Sequence, residues 1–303
     1  MGNSKNYKVY TAALSYVAIA GLSFLFTKIA LSATDPLDLL AHRFTASFLG
    51  IIIPVLLKWV KIDFSRGRIR RVLPLALFYP LLFFGFQTFG LQYASSSEGG
   101  IILASAPVFT MILASYFLKE KTTLLQKLSI VLSVLGVSYI TIKTASSLEF
   151  GNMKGILLLL LSALSFAGYS VMARDLTKDF STIELSCIMT IISFIGFNTL
   201  SIGRHLIDGS IGKFFMPLGN PKFIIAALYL GVLSSLVTSI LTNYVLSKIE
   251  ASKMSVFSNL VTVVSVIAGA VFLKERIFYY HIIGSILIIG GVIGTNFLGE
   301  ENI

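Results

Sequence analysis

Two stretches of this sequence decide its fold: residues 93–121, YASSSEGGIILASAPVFTMILASYFLKEK, and residues 247–276, SKIEASKMSVFSNLVTVVSVIAGAVFLKER. In each stretch an apolar run ends in Phe-Leu-Lys-Glu followed by a basic residue. A helix of about 20 apolar residues crosses the hydrocarbon core of a bilayer, and charged residues mark the point where it reaches water. The two stretches therefore predict two membrane helices with the same ending.

The shared ending belongs to an internal repeat. A shift of 155 positions aligns residues 117–120 with residues 272–275, and the same ungapped register pairs Ser97 with Ser252. Shifts of 147 and 146 positions add weaker matches earlier in the chain. These matches pair Ser15 with Ser162, Ala20-Gly21 with Ala167-Gly168, and Phe48 with Phe194. Scattered apolar matches mean little in so apolar a chain, but a charged tetrad at equivalent helix ends indicates two related halves.

Each half holds five apolar segments long enough to span a membrane. The first half, residues 1–146, has segments at about 9–31, 39–57, 72–93, 99–117 and 124–142. The second half, residues 147–303, has segments at about 155–173, 183–202, 223–246, 254–273 and 277–297. These runs are continuous and do not alternate like membrane β-strands, so we predict an all-α integral membrane protein. Because five is an odd number, the second half enters from the opposite side, which predicts two inverted five-helix repeats.

Composition agrees with a membrane protein. Residues of the apolar class make up 55% of the chain and charged residues 13%, which is more apolar surface than a soluble core hides. The net charge of +10 would suggest nucleic-acid binding in a soluble protein. Here the basic residues lie in short segments between apolar runs, so we expect membrane lipid, and no nucleic acid, as their partner.

The basic residues also predict the orientation. With the N-terminus inside, the inner segments carry 15 basic residues and the outer segments 8, with Arg43 left within the second span. The positive-inside rule then places both termini in the cytoplasm of a cell-membrane protein. The strongest contribution comes from residues 58–71, with six basic residues, and the weakest point is the outer segment 204–222. Its glycines and prolines predict an irregular loop with a short interfacial helix at about 211–216.

Catalytic and metal-binding patterns are missing from the sequence. Cys187 is the single cysteine, the three histidines are scattered, and no HExxH motif or recognisable Ser/His/Asp spacing occurs. The acidic residues in and beside the apolar segments all lie near segment ends. We therefore expect no catalytic residue, no metal and no cofactor. Two inverted halves can exchange between a state open to one side of the membrane and a state open to the other, which favours a transporter. The alternatives are an intramembrane enzyme acting on a lipid or prenyl carrier, and a passive channel.

On the two repeat endings, with Pro107 within the first, and on the stretch HRFTASFLG at 42–50, the chain resembles the EamA-type family of the drug/metabolite transporter superfamily. The resemblance extends over essentially the whole chain. It implies a ten-helix secondary transporter that moves a small organic metabolite, such as an amino acid, often outward. It also implies that the first, third, fourth, sixth, eighth and ninth spans line the substrate cavity.

Polar or helix-breaking residues within those spans are the candidate substrate-binding residues. They include the amides Gln87, Asn243 and Asn259, the phenols Tyr79 and Tyr169, and Ser105 with Pro107. An amide within a span either faces the cavity or joins two helices. Pro107 leaves the carbonyl of Leu103 without its helical donor, which allows a kink, a hinge or simple packing. We predict a cavity role for this set.

Arg43 is the one formal charge well inside a predicted span. Three hypotheses stay open: its side chain extends outward to the membrane surface, braces backbone carbonyls, or holds a substrate carboxylate.

Gly290 and Gly294 form a GxxxG motif of small residues in the tenth span, and Ser129 and Ser133 form the corresponding pair in the fifth. Such motifs support either a homodimer or packing within one chain, and packing within the chain is favoured.

Overall fold

The computed structural model describes residues 2–57, 62–120, 123–145 and 150–297, and throughout these residues the regular secondary structure is helical. The helices are α1 (Gly2–Leu31), α2 (Pro36–Leu56), α3 (Arg66–Ala76), α4 (Phe83–Tyr93), α5 (Ser96–Leu103), α6 (Ala106–Phe117), α7 (Leu124–Ala145), α8 (Phe150–Leu176), α9 (Thr182–Ile207), α10 (Ile211–Phe215), α11 (Pro221–Leu228), α12 (Thr238–Leu246), α13 (Ala251–Leu273) and α14 (Tyr279–Phe297). The π-helical segments Leu77–Leu82 and Tyr229–Val237 and the 3-10 segment Met216–Gly219 join some of them.

Eight helical segments of the described chain are long and apolar enough to cross a membrane. They are Tyr7–Leu31, Pro36–Leu56, Arg66–Tyr93, Ser96–Phe117, Met153–Leu176, Thr182–Ile207, Pro221–Leu246 and Ala251–Leu273. Helices α7 and α14 contain the shorter apolar stretches Leu124–Gly136 and Tyr279–Gly291. The predicted all-helical membrane class is therefore confirmed.

Two of the long segments are interrupted near their middles. Between α3 and α4 the backbone of Tyr79 is extended, with φ −145° and ψ 120°, immediately before Pro80. Between α5 and α6 the helix breaks at Ala104 and Ser105, and Pro107 lies in the first turn of α6. Proline has no N–H to donate to the preceding turn, which explains why both breaks occur beside one. The hydroxyl of Ser105 donates to the carbonyl of Ile102 at 2.7 Å, so part of the freed backbone is satisfied locally.

Helix α13 runs antiparallel to α5 and α6 and packs closely against them. The hydroxyl of Thr262 donates to the carbonyl of Gly100 at 2.7 Å. A side chain at Gly100 would overlap Ser265, so glycine is required for this approach. Small residues of this kind let helix backbones approach each other in membranes.

Both ends of this antiparallel contact are capped by a glutamate from the opposite half. Glu275 accepts hydrogen bonds from the backbone N–H groups of Ser96 and Ser97, at 2.9 and 3.0 Å, where α5 begins. Glu120 accepts from the backbone N–H of Ala251, at 3.2 Å, and from the hydroxyl of Ser252, where α13 begins. The first N–H groups of a helix have no partner within the helix, and carboxylates satisfy them and favour the positive end of the helix dipole.

This geometry explains the repeated Phe-Leu-Lys-Glu tetrad. Lys119 and Lys274 both have the left-handed backbone conformation, with φ of 56° and 55°, which turns the chain sharply after the helix. Each turn carries the following glutamate toward the start of a helix in the other half. Ser97 and Ser252, paired in the repeat register, are the hydroxyl donors to Glu275 and Glu120.

The connection over residues 204–222 differs in detail from its prediction. Helix α9 continues to Ile207, so Arg204 lies on a helix and not in the loop. The short helix α10 begins at Ile211, and the 3-10 turn follows it. The ring of Phe214 stacks on the ring of His42, with centroids 4.4 Å apart. The backbone carbonyl oxygen of Phe214 lies 2.8 Å from the His42 Nε2 atom. The short helix is thus docked on α2.

Helices α7 and α14 pack against each other through small residues. A side chain at Gly136 would meet the backbone of Gly284, and one at Gly291 would meet the backbone of Ser129. Ser133 donates to the carbonyl of Ile288 at 3.2 Å. A side chain added at Gly290, by contrast, would make an ordinary van der Waals contact with Leu132. The close approach of α7 and α14 within the chain therefore depends on Gly291. A homodimer stays a prediction.

We expect Glu275→Ala and Glu120→Ala each to lower the free energy of unfolding by about 1–3 kcal/mol, because hydrogen bonds to a charged group are lost at a partly buried helix start. Thermal unfolding in detergent measures the change. Glu250→Ala is the matched control, because Glu250 precedes the same α13 but makes no side-chain cap, and its contact with Lys253 is 3.8 Å long. Equal melting temperatures for the control and the two cap variants would contradict the prediction.

Candidate functional site

A narrow cavity of about 20 Å³, roughly the room for one water molecule, lies between helices of both halves. Its wall is formed by α1, the break at Tyr79, α4, the end of α5, α8 and the segment 229–246. The polar contributions come from Tyr16, Ser23, Tyr79, Gln87, Ser234 and Thr238. A cavity with mostly apolar walls and a few polar groups is the usual form of a small-molecule site.

Aromatic rings make most of the apolar wall. Phe83 and Phe84 follow directly after the break at Tyr79, and Phe166 of α8 lies opposite them, with its ring centroid 5.5 Å from that of Phe83. Tyr79 stacks on Tyr169 with centroids 4.4 Å apart. The break matters here because an extended residue projects Tyr79 in a direction that a continuous helix would not allow.

Arg43 lies beside this wall and is 1% exposed. Its Nε donates to the hydroxyl of Ser235 at 2.7 Å, and its Nη2 donates to the hydroxyl of Ser234 at 3.0 Å. The guanidinium carbon is 3.8 Å from the ring centroid of Phe84. The side chain therefore turns into the protein, and the hypothesis that it extends outward to the membrane surface is wrong.

The π-helical segment Tyr229–Val237 places the two serines against Arg43. The hydroxyl of Ser235 donates to the carbonyl of Leu230 at 2.9 Å, five residues earlier, as the wider turn requires. Gly231 lets this segment touch α2, because a side chain there would overlap the carbonyl of Arg43 and the side chain of Ala46. A π-bulge inside a helix is often found at a functional site.

Behind the aromatic wall lies a fully buried polar network. The hydroxyl of Tyr169 donates to the Asn243 Oδ1 atom at 2.8 Å, and the Asn243 Nδ2 atom donates to Ser186 at 2.9 Å. Ser239 donates to the same Ser186 hydroxyl at 2.9 Å. The network joins α8, α9 and α12 and holds Tyr169 in place against Tyr79.

The predicted site residues fall into three groups. Gln87 and Tyr79 line the cavity, with Arg43 directly behind its wall. Tyr169 and Asn243 form a second layer, and Ser105 and Pro107 form the helix break just after the lining residue Leu103. Asn259 lies on α13, but its side chain falls outside the part that the structure describes. A role in substrate binding stays a prediction for all of these residues.

Sequence reasoning missed the hydroxyl groups of the wall. Ser234, Thr238, Ser23 and Tyr16 are buried and line the cavity, and Ser235 binds Arg43. Serine and threonine occur throughout these helices, so type alone does not identify them. A usable signal was the unusual density of small polar residues in Ser234-Ser235-Leu236-Val237-Thr238, within an otherwise apolar run.

A separate polar cluster lies where α2 begins and α9 ends. Asp38 accepts hydrogen bonds from Ser201 at 2.6 Å and from Arg204 at 2.8 Å, and one of its oxygens lies 2.9 Å from the His205 Nε2 atom. Burial raises the pKa of the nearby Asp35 carboxyl, but hydrogen bonds from Arg204 and from backbone N–H groups outweigh burial and hold that pKa below its usual value. Asp35, Asp38 and His205 are close enough to hold a cation, but Arg204 already supplies a positive charge.

Comparison with known proteins agrees with the helical fold. The sequence profile of the EamA-like transporter family matches residues 8–142 and again residues 153–297. The chain is 50% identical over 287 residues to "Uncharacterized transporter YcxC" of Bacillus subtilis, covering 95% of this chain and 92% of that one. An "Uncharacterized transporter" of Archaeoglobus fulgidus is 27% identical over 281 residues, covering 91% and 94%. A solved crystal structure shares the fold, with a TM-score of 0.70 at 17% identity over 97% of this chain and 98% of that one.

We expect Gly231→Ala to destabilise the protein by about 1–3 kcal/mol, because the added methyl group forces the π-helical segment away from α2. Thermal unfolding in detergent is again the measurement. Gly203→Ala is the control, since no atom lies within 4 Å of the position that its new side chain would take on α9. The prediction is wrong if the two variants unfold at the same temperature.

Proposed function

Because this chain belongs to the EamA-like transporter family, we propose that it is a secondary transporter that carries a small organic metabolite across the cytoplasmic membrane by alternating access. The names of its relatives are those of transporters and not of enzymes. The fold has helices long and apolar enough to cross a membrane and a cavity between them. Because this cavity measures only about 20 Å³, a metabolite can enter only when the two halves move apart, as alternating access requires.

The proposal includes ten membrane helices in two inverted repeats, with α7 and α14 completing the set. The family profile matches the chain twice, once in each half, which supports the duplication. The left-handed lysines and the reciprocal glutamates supply further support, because they occupy equivalent positions in the two halves. Inverted repeats have two arrangements of similar energy, one open to each side of the membrane.

The observation that carries alternating access is the position of the two glutamate caps. Since α13 is antiparallel to α5 and α6, Glu120 joins the halves at one end of this contact and Glu275 joins them at the other end. The cavity lies between helices of both halves. We propose that each cap closes one access route, so that transport requires the two contacts to break in turn.

Transport is tested with the purified protein in liposomes. We expect saturable uptake and counterflow of at least one labelled metabolite, with amino acids tested first. A cysteine pair at Glu120 and Ser252, and another at Ser97 and Glu275, should each stop transport when joined by a short bifunctional thiol reagent, because either bridge holds one route closed. Both pairs are made after Cys187→Ser, and the same variants without reagent are the controls.

Other outcomes would point to other functions. Linear, unsaturable flux that survives both bridges would indicate a channel. Conversion of a lipid or prenyl substrate in detergent, where no gradient exists, would indicate an enzyme. Saturable transport that continues in both bridged proteins would contradict the proposed role of the caps.

The orientation with both termini in the cytoplasm is tested by thiol labelling in intact cells. After Cys187→Ser, a cysteine at the exposed position Ser65 should react with a membrane-impermeant maleimide only after the cells are opened. A cysteine at the exposed position Asp208 should react in intact cells. The reverse pattern would show that the basic residues between α2 and α3 face outward.

A further inference from the structure

Arg43 is the most deeply buried arginine of the described chain, and its partners differ from those of Arg68 and Arg204. Arg174, which is half-buried, donates to the carbonyl of Leu246 at 2.7 Å. Arg68 binds the carboxylate of Glu184 through two hydrogen bonds of 2.8 Å, and Arg204 binds Asp35 and Asp38 at 2.7 and 2.8 Å. Arg43 is 1% exposed, yet its partners among the described residues are two serines, a backbone carbonyl at 3.4 Å and an aromatic ring. It is a buried positive charge without a carboxylate.

An unpaired buried charge is costly, and a guanidinium is suited to bind a carboxylate through two parallel hydrogen bonds. The Nη1 atom of Arg43 has no hydrogen-bond partner within the described chain and is shielded from solvent. The acidic residue Asp38, on the same helix α2, is already bound by Arg204 and His205. The missing counter-charge is therefore expected from a ligand.

The surroundings of Arg43 offer a second donor for an anion. Ser234 accepts a hydrogen bond from the Arg43 Nη2 atom, and its own hydroxyl proton has no acceptor in the described part of the protein. Ser235, in contrast, already donates to Leu230. Since Ser234 lines the cavity, a carboxylate there can accept from both the serine hydroxyl and the guanidinium.

The other residues that line the cavity indicate which groups the ligand carries besides its carboxylate. Phe84, on which Arg43 stacks, and Gln87 lie three residues apart on one face of α4, and both line the cavity. The Gln87 side-chain oxygen is buried and has no donor among the described residues. It can accept a hydrogen bond from an amine or hydroxyl of the ligand, whose body would pack on the rings of Phe83 and Phe166.

We infer that the substrate of the proposed transport is an organic monocarboxylate with an apolar or aromatic body and one hydrogen-bond donor, held by Arg43, Ser234 and Gln87. This inference rests on the proposed function. The one guanidinium beside this cavity provides charge for a single carboxylate. A phosphate ester or a dicarboxylate would bring more negative charge than this one arginine offsets.

The test compares acids with the corresponding amides, using full-length protein. The probes are phenylalanine and phenylalaninamide, leucine and leucinamide, and the hydroxy acid 3-phenyllactate with its uncharged amide 3-phenyllactamide. Binding is followed by the thermal shift in detergent, and transport by counterflow in liposomes. For the wild-type protein, the acids are expected to bind and exchange, and the amides to bind roughly tenfold to a hundredfold more weakly.

Three variants separate recognition of the carboxylate from folding. Arg43→Gln should abolish the preference for acid over amide, Arg43→Lys should keep part of it, and Ser234→Ala should weaken acid binding alone. If Arg43→Gln does not fold, the other two variants carry the test. Lys28→Gln is the matched neutralisation control, because Lys28 donates to the carbonyls of Leu91 and Ala94 and does not line the cavity, and it should keep the wild-type preference.

The possible failures are distinguishable. Saturable transport in which amides perform as well as acids, or in which the Arg43 and Ser234 variants keep the wild-type preference, would overturn the inference and leave the transporter proposal in place. Transport of cationic solutes alone would do the same. No binding and no exchange for any solute would overturn both.

Discussion

The first backbone N–H groups of a helix need acceptors, and in lipid these acceptors have to come from the protein. Helices α5 and α13 begin side by side with helix ends of the other half, and Glu275 and Glu120 supply the acceptors. Much of the structure depends on these two glutamate caps, each of which joins one half to a helix of the other. They hold α13 antiparallel to α5 and α6, with Thr262 hydrogen-bonded to Gly100, and they fix α5, whose last residue Leu103 lines the cavity.

The long apolar helices of the described chain are interrupted at three places. The extended residue Tyr79, the break before Pro107 and the π-helical segment Tyr229–Val237 all lie beside or near the cavity. Membrane proteins tolerate non-helical backbone where other groups satisfy its hydrogen bonds, and here serine hydroxyls do so at Ile102 and Leu230. At these interruptions, side chains point inward that would point elsewhere from a regular helix.

The charged side chains also differ in where they lie along the helices. Ion pairs such as Arg68 with Glu184 and Arg204 with Asp38 lie near helix ends, where water and head groups reduce the cost of desolvation. Arg43 is the exception, since it is buried against Phe84 and two serines. Arg43 therefore places a positive charge in the interior of the protein, beside the cavity.

The sequence by itself determined the membrane class and the helical architecture, and it predicted two related halves, because hydropathy and repeated motifs are local properties that survive any arrangement of the helices. It also identified Arg43, Gln87, Tyr79, Tyr169 and Asn243 as unusual polar or aromatic residues within apolar runs. It did not determine which of them meet. That depends on the rotation and breaking of each helix: Tyr79 reaches Tyr169 through an extended residue, and Ser234 and Ser235 reach Arg43 through a π-helical turn. The reciprocal glutamate caps were likewise decided by the tertiary structure, because each one joins residues more than a hundred positions apart, and only packing brings such residues together.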